Sequence, residues 1–221
     1  MALRPTLVFS RPDLAAGPDR RIADNLSMVA GLIRDQASSL IGRSNPIDRD
    51  EVQTILAELG GRLDAVARLH RLLAENPAEA RLSLGEYLQD ISAAIVAGLS
   101  DDHDIRLRFA CDPRCFVPPE RALSLGLIVV ELVTNAVKYA HPTGVAGEIR
   151  VGCEQRSDGT ITVEVADDGV GLPEGMDPMK ADSLGLRIVR SLAAELGAGV
   201  GFEHDALGLS CVLRMPGELR A

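Results

Sequence analysis

The sequence predicts an α+β fold. An N-terminal antiparallel helical hairpin is followed by an α/β sandwich with a mixed, largely antiparallel sheet. Three observations carry that prediction. Two long apolar stripes with helical stepping fill residues 22 to 73. The second half alternates helical stretches with short runs of period-two apolar residues. Asp158-Gly159 joins two of those runs as a hairpin turn. With 46% hydrophobic and 25% charged residues among 221, the chain is globular in composition. Aromatics are 3% and Trp is absent, so the core must be aliphatic.

Residues 1–17 contain two prolines and little periodicity, and read as an extended arm. From Pro18 the residues Ile22, Leu26, Val29, Ile33, Ala37 and Leu40 mark one helix face. "GRSNPIDRDE" breaks that helix and prepares the next, with Pro46 near the new start. The second stripe is Val52, Ile55, Leu59, Leu63, Val66, Leu69 and Leu73, interrupted by Gly60 and Gly61, which lower its helicity. Residues 18–75 are thus a helical hairpin. Two helices alone cannot bury both stripes. Either a second copy completes a four-helix bundle, making a homodimer, or the helices pack on the rest of the same chain. The length and coiled-coil spacing of the stripes favour the homodimer.

Residues 75–83 read as a linker, and 82–217 as the second domain. Ser83 is placed to cap the helix "LGEYLQDISAAIVAGL". "DIRLRFAC" alternates as a half-buried strand, and "PPERALSLGLIVVELVTNAVKYA" is a buried helix opened by prolines. "GEIRVGCEQ" and "TITVEVA" are strands, residues 184–197 a helix stopped by Gly197, and two short strands close the chain.

Composition also excludes classes of function. Thirty-two acids against 23 bases give a net charge of −9, which argues against a nucleic-acid partner. No apolar run reaches 18 residues, so no membrane span is expected, and residues 1–17 lack a signal-peptide layout. The expectation is a cytoplasmic protein. Of Cys111, Cys115, Cys153 and Cys211, only the first two are close, and no His stands at zinc-ligand spacing. They read as reduced, partly buried thiols.

Three segments carry chemistry. Glu131, Asn135 and Lys138 lie on one face of an otherwise apolar helix. Such groups can hold a metal ion, a water and phosphate oxygens, or form an internal Glu–Lys pair beside a satisfied Asn. Asp167-Asp168-Gly169-Val170-Gly171 ends a strand with acceptors and with glycines that let backbone approach a ligand, or makes a tight surface turn. Gly185 and Leu186 open a helix whose N–H groups can face phosphates.

In this order and spacing the segments resemble the ATP-binding domain shared by sensor histidine kinases, gyrase, the Hsp90 chaperone and the MutL repair protein. "ELVTNAVKYA" is similar to the Asn-containing box, "DDGVG" to the Asp-x-Gly-x-Gly box and "SLGLRIV" to the second Gly box. Upstream, "RRIADNLSMVAGLI" and "ARLHRLLAE…LSLGEYLQDI" resemble the paired helices of the histidine kinase subfamily with a His-Arg-x-x-Asn motif. The resemblance covers roughly residues 18 to 217. It implies ATP and Mg²⁺ as ligands, with Asn135 on the metal, Glu131 assisting attack or orienting water, and Lys138 meeting a phosphate. Asp167 would accept from the adenine amine, Gly169 and Gly171 would shape the pocket, and Gly185 and Leu186 would stand near the phosphates. Residues 171–183 would form a mobile lid.

The chain departs from that pattern at the phosphoacceptor. Arg20 stands where the family has His, and Asp24 where it has Asn. An arginine stays protonated and cannot accept a phosphoryl group. His70, His103, His141 and His204 lie elsewhere, and His70 is only a weak substitute acceptor. Ala181 and Asp182 replace glycines of the second Gly box, and "GLSCV" stands where Gly-Thr is usual. The resemblance therefore implies a Mg-ATP-binding, histidine-kinase-like signalling protein acting on or through a partner, such as a response regulator. The alternative is a non-enzymatic dimeric scaffold or phosphotransfer-type adaptor that binds a response regulator. An anti-sigma-factor serine kinase shares the ATP domain, but the long paired helices speak against it.

Overall fold

The computed structural model describes residues 49–75, 81–99, 105–142, 145–173, 175–181, 183–205 and 208–217, together with Ala30, Gly31, Ile33, Arg34, Ala37 and Ser38. Those six are helical, within the first predicted helix. The predicted arm, Arg20, Asp24 and His103 lie outside the described residues.

Helix α1 (Arg49–Glu75) runs without a break through Gly60 and Gly61. The two glycines interrupt the apolar stripe without breaking the helix, because tertiary context overrides their low propensity. A Cβ at Gly61 would lie 3.4 Å from Val130 and 3.6 Å from Ile95. Those are ordinary contact distances, so this turn of α1 faces two helices of the same chain, α2 (Leu84–Leu99) and α3 (Pro119–Tyr139).

The apolar residues of α1 are divided between two surroundings. Ala65, Val66 and Leu69 are buried in the core of this chain, while Val52, Leu56 and Leu63 stay exposed. Tyr87 of α2 fixes the three-helix junction. Its hydroxyl donates to the Ala65 carbonyl at 3.0 Å, and its ring occupies the place a Cβ would take at Gly126 of α3.

Leu82–Ser83 (β1) pairs antiparallel with Phe116–Val117 (β3), so the end of the predicted linker is a short strand. The Ser83 hydroxyl then accepts from the Glu86 N–H at 3.4 Å, in the expected capping position. The main sheet contains β2 (Ile105–Cys111), β4 (Gly147–Gln155), β5 (Ile161–Asp167), β6 (Gly199–Asp205) and β7 (Gly208–Met215). Its order is β2-β4-β5-β7-β6. β2 and β4 are parallel and the other pairs antiparallel, as the mixed class requires. The β4–β5 turn has Gly159 at φ +86° and the Asp158 carboxylate accepting from Thr160 N–H at 2.8 Å.

Inward residues Ile149, Val151, Val163, Val165 and Leu213 join the helices in one apolar core, while Arg150, Glu164 and Arg214 stay exposed. Helix α3 is the centre of that core. Pro119 sits in its first turn, where the missing N–H costs nothing, and Glu120 and Lys138 complement its dipole ends. It is long and apolar enough to cross a membrane, but 83% of its most apolar window is buried inside the protein. Helix α4 (Leu184–Glu195) ends at Gly197, whose φ of +63° accompanies the Ala198 N–H bond to the Ala193 carbonyl.

Candidate functional site

The C-terminal half of α3, the end of β5 and the start of α4 converge. Two close approaches show it. A Cβ at Gly185 would lie 2.8 Å from Glu131 Oε2 and 3.9 Å from Asn135 Nδ2. A Cβ at Gly169 would collide with the Ala140 carbonyl, just past the end of α3. Gly169 is therefore needed for backbone proximity, while Gly185 brings the start of α4 against the Glu131 carboxylate. The Val170 N–H seals the second approach by donating to Ala140 O at 2.9 Å.

The two adjacent acids differ in surroundings. Asp167 is buried at 8% exposure, and its Oδ1 accepts from the Gly169 N–H at 3.0 Å. Burial raises its pKa above the ordinary carboxylate range, and backbone N–H bonds from Gly169 and Leu209 partly oppose that rise. Asp168 is exposed and braces the turn instead. Its Oδ1 accepts from Glu148 N–H at 2.8 Å and lies 3.0 Å from His141 Nε2. The His141 ring fills the space over Gly147, which leaves no room for a Cβ there. Gly208, at φ +131°, passes so close to the Asp167 carbonyl that a side chain would not fit.

Glu131 is 4% exposed, and its Oε1 accepts from Arg62 Nε of α1 at 2.6 Å. Arg62 is 1% exposed, and its Nη1 has no hydrogen-bond partner among the described residues. Neither ligation of a nucleotide nor an internal Glu–Lys pair, the two readings open to the sequence, includes this residue. The stripe Ile55, Leu59, Arg62, Val66 and Leu69 steps by four, three, four and three. A charge inside that apolar series was the available signal, whereas Leu63, taken as the stripe residue, is 46% exposed. Asn135 and Lys138 are half-buried, and Leu186 is buried on α4. His70 is half-buried, and its Nε2 is buried with no partner among the described residues, so that nitrogen is not presented to solvent.

The predicted lid begins at Gly171, at φ +69°. Arg190 of α4 holds its far part by donating to the carbonyls of Pro178 at 3.1 Å and Ala181 at 2.8 Å. Asp177 organises the turn between, accepting from Met179 N–H at 2.9 Å and pairing with Lys180 at 2.9 Å. Val170, Met176 and Met179 are exposed along this segment. A cavity of about 430 Å³ beside Cys111 and one of about 200 Å³ beside Gly61 do not include Glu131, Asn135 or Asp167 in their walls.

The family model for "Histidine kinase-, DNA gyrase B-, and HSP90-like ATPase" matches residues 120–218, and the "Histidine kinase" model matches residues 19–98. The chain belongs to the histidine kinase family. Sensor histidine kinase PdtaS of Mycobacterium tuberculosis is 36% identical over 200 residues, 89% of this chain and 38% of that protein. Blue-light-activated histidine kinase 2 of Erythrobacter litoralis is 29% identical over 216 residues, 93% of this chain and 59% of that one. The chain therefore spans less than two thirds of either relative. Among solved structures, the histidine kinase domain of the Erythrobacter litoralis EL346 blue-light activated kinase superposes with a TM-score of 0.69 at 29% identity. It covers 90% of this chain and 91% of that one. The histidine kinase match places the three converging segments in the ATPase-type domain.

Among the described residues, no group of three or more His, Cys, Asp or Glu is arranged to hold a metal ion. Mg²⁺ carried by a nucleotide would need few protein ligands beyond the phosphates. The amide of Asn135, beside the cradle left by Gly185, is a donor set of that kind.

Proposed function

We propose that the chain binds Mg-ATP and acts as a histidine-kinase-type phosphotransferase within two-component signalling, on or through a partner protein such as a response regulator. The observation that carries this reading is the meeting of Gly185 with Glu131 and Asn135, beside the buried Asp167. Asp167 accepts a hydrogen bond from the adenine amine, and Gly169 and Gly171 let the backbone approach the base. Asn135 holds the metal ion, and Lys138 and the first turn of α4, with Gly185 and Leu186, face the phosphates. Glu131 orients or deprotonates the attacking group. Bound Mg-ATP supplies the phosphoryl group and much of its charge neutralisation. Residues 171–183 close over the nucleotide, with exposed Val170, Met176 and Met179 as the apolar cover.

In this reading residues 18–75 form the dimerisation hairpin and 82–217 the ATP-binding domain. The exposed line Val52, Leu56 and Leu63 is the α1 contribution to a homodimeric four-helix bundle. Leu56→Glu with Leu63→Glu is then expected to give monomers by sedimentation, where the parent chain gives dimers.

A second reading is a non-enzymatic scaffold that holds nucleotide as a regulatory ligand. One observation favours it: Arg62 occupies the Glu131 carboxylate, the group chemistry would use. Titration with ATP and incubation with γ-labelled ATP separate the two. Binding that Asp167→Ala weakens tenfold or more, with label transferred to a response regulator or with ADP released, supports the enzyme. Binding without transfer or ADP supports the scaffold. No nucleotide binding removes both.

A further inference from the structure

Away from that site, three of the four cysteines meet under the N-terminus of α2. The parallel register of β2 and β4 sets Cys111 directly beside Cys153 on the inward face of the sheet. The chain then turns back over the pair. Asp112 N–H donates to Cys153 O at 2.7 Å, and Cys115 N–H donates to Asp112 O at 3.0 Å. The Cys111 thiol donates to the Val151 carbonyl at 4.0 Å, and the Cys153 thiol is neighbour to both Cys111 and Cys115. Gly85, the second residue of α2, makes room for them. A Cβ there would lie 2.8 Å from Cys111 Cβ, 3.6 Å from its sulfur and 3.8 Å from that of Cys153.

The three thiols differ in access. Cys111 is half-buried and lines an open cavity of about 430 Å³ with Arg81, Ser83, Gln89 and Asp112. Cys115 and Cys153 are buried behind it. The helix N-terminus favours a thiolate at Cys111. The Cys153 contact acts the same way, bringing the Cys111 pKa down to about 7, while the Cys153 thiol is held protonated by contact with its two neighbours.

We propose that this cluster is a site of reversible oxidative modification, at which a peroxide oxidises Cys111 and Cys153 closes a Cys111–Cys153 disulfide. The Cys111 thiolate attacks a peroxide oxygen. An S–O bond forms, the O–O bond breaks, and hydroxide or alkoxide leaves with a proton from solvent. The Cys153 sulfur then attacks the Cys111 sulfenic acid. The S–S bond forms, the S–O bond breaks, and the Cys153 proton leaves with the hydroxyl as water. Two electrons pass from the sulfur pair to the peroxide. Neighbouring strands lie about 4.8 Å apart, inside the 4.4–6.8 Å Cα range that a disulfide spans.

The test exploits the sequence. Trypsin places the four cysteines in separate peptides, 109–114, 115–121, 151–156 and 191–214. The full chain is treated with stoichiometric hydrogen peroxide at pH 7, alkylated in denaturant and digested. A dithiothreitol-sensitive link between 109–114 and 151–156 is expected. Cys153→Ser should lose that link and accumulate dimedone-reactive sulfenic acid on Cys111, and Cys111→Ser should show neither. Cys211 is the internal reference, because burial pushes its pKa up to about 12. Without peroxide, Cys111 in the native chain should alkylate about tenfold faster than Cys211 or more. Equal rates at Cys111 and Cys211, a reduced Cys111 after peroxide, or a link from 109–114 to 115–121 as main product would each overturn the proposal. The parent-chain mapping decides this even where Cys153→Ser does not fold.

Discussion

Replacing Arg62 by Met should lower the stability of the chain by about 2–4 kcal/mol. The Arg62–Glu131 pair is 2.6 Å long, with side chains 1% and 5% exposed, so solvent screens it little. Removing one partner of such a pair leaves an uncompensated buried carboxylate, which costs about 3–5 kcal/mol. Arg62 Nη1 has no partner among the described residues, and Met removes that unsatisfied donor, returning about 1 kcal/mol. The difference corresponds to a fall in Tm of about 4–16 °C for a chain of this size. Met keeps most of the aliphatic volume, so cavity formation contributes little.

The assay is urea unfolding of the parent, Arg62→Met, Glu131→Gln and the double variant, taken as a cycle. The double variant should recover most of the Arg62→Met loss, because no charge is then left to bury. A single Arg62→Met cost under about 0.5 kcal/mol, or a coupling energy near zero, would refute the reasoning. In that case α1 would not seat Arg62 against α3 in solution.

Three further outcomes follow from other residues. The pKa of Asp167 is raised in the fold, so its contribution to stability is complete below the unfolded value of about 3.9 and is lost as pH rises through the folded value. The stability of Asp167→Asn relative to the parent, measured without nucleotide from pH 3 to 7, should therefore rise with pH. A flat difference would contradict the burial assignment. Gly169→Ala forces a methyl group against the Ala140 carbonyl and should cost about 1–3 kcal/mol in thermal unfolding, with weakened ATP binding. Arg190→Met removes two carbonyl anchors, and the amides of Met179, Lys180 and Ala181 should exchange with deuterium about tenfold faster while the core strands keep their protection.

Most elements were legible because their signals are local. Asp158-Gly159 fixes a turn, Pro119 starts α3, and alternation marks β2, β4 and β5 without reference to distant residues. The order of Glu131, Asn135, Asp167 and Gly185 was legible as a pattern, though not the contacts that join them. Arg62 was missed because two overlapping stripes run down α1. Choosing Leu63 over Arg62 as the buried residue requires knowing which face meets α3. The thiol cluster was missed for a related reason. Cys111 and Cys153 are 42 positions apart and meet only through a parallel register, which no hairpin turn announces. Tyr87 over Gly126 and His141 over Gly147 are likewise pairings of shape that periodicity does not carry.

The hydrogen bond between Arg62 and Glu131 makes the site sensitive to an angle. Arg62 lies at the outer radius of α1, about 5–6 Å from its axis with side chains included. A turn of α1 by about 20° about that axis carries the guanidinium about 2 Å sideways. That is enough to take a 2.6 Å bond beyond the roughly 3.2 Å at which such bonds are lost. The apolar contacts of Ala65, Val66 and Leu69 have no comparable directional demand. The state of a carboxylate inside the ATPase-type domain is thereby indexed to the rotation of a helix whose other end, at Val52 and Leu56, stands exposed and open to contact.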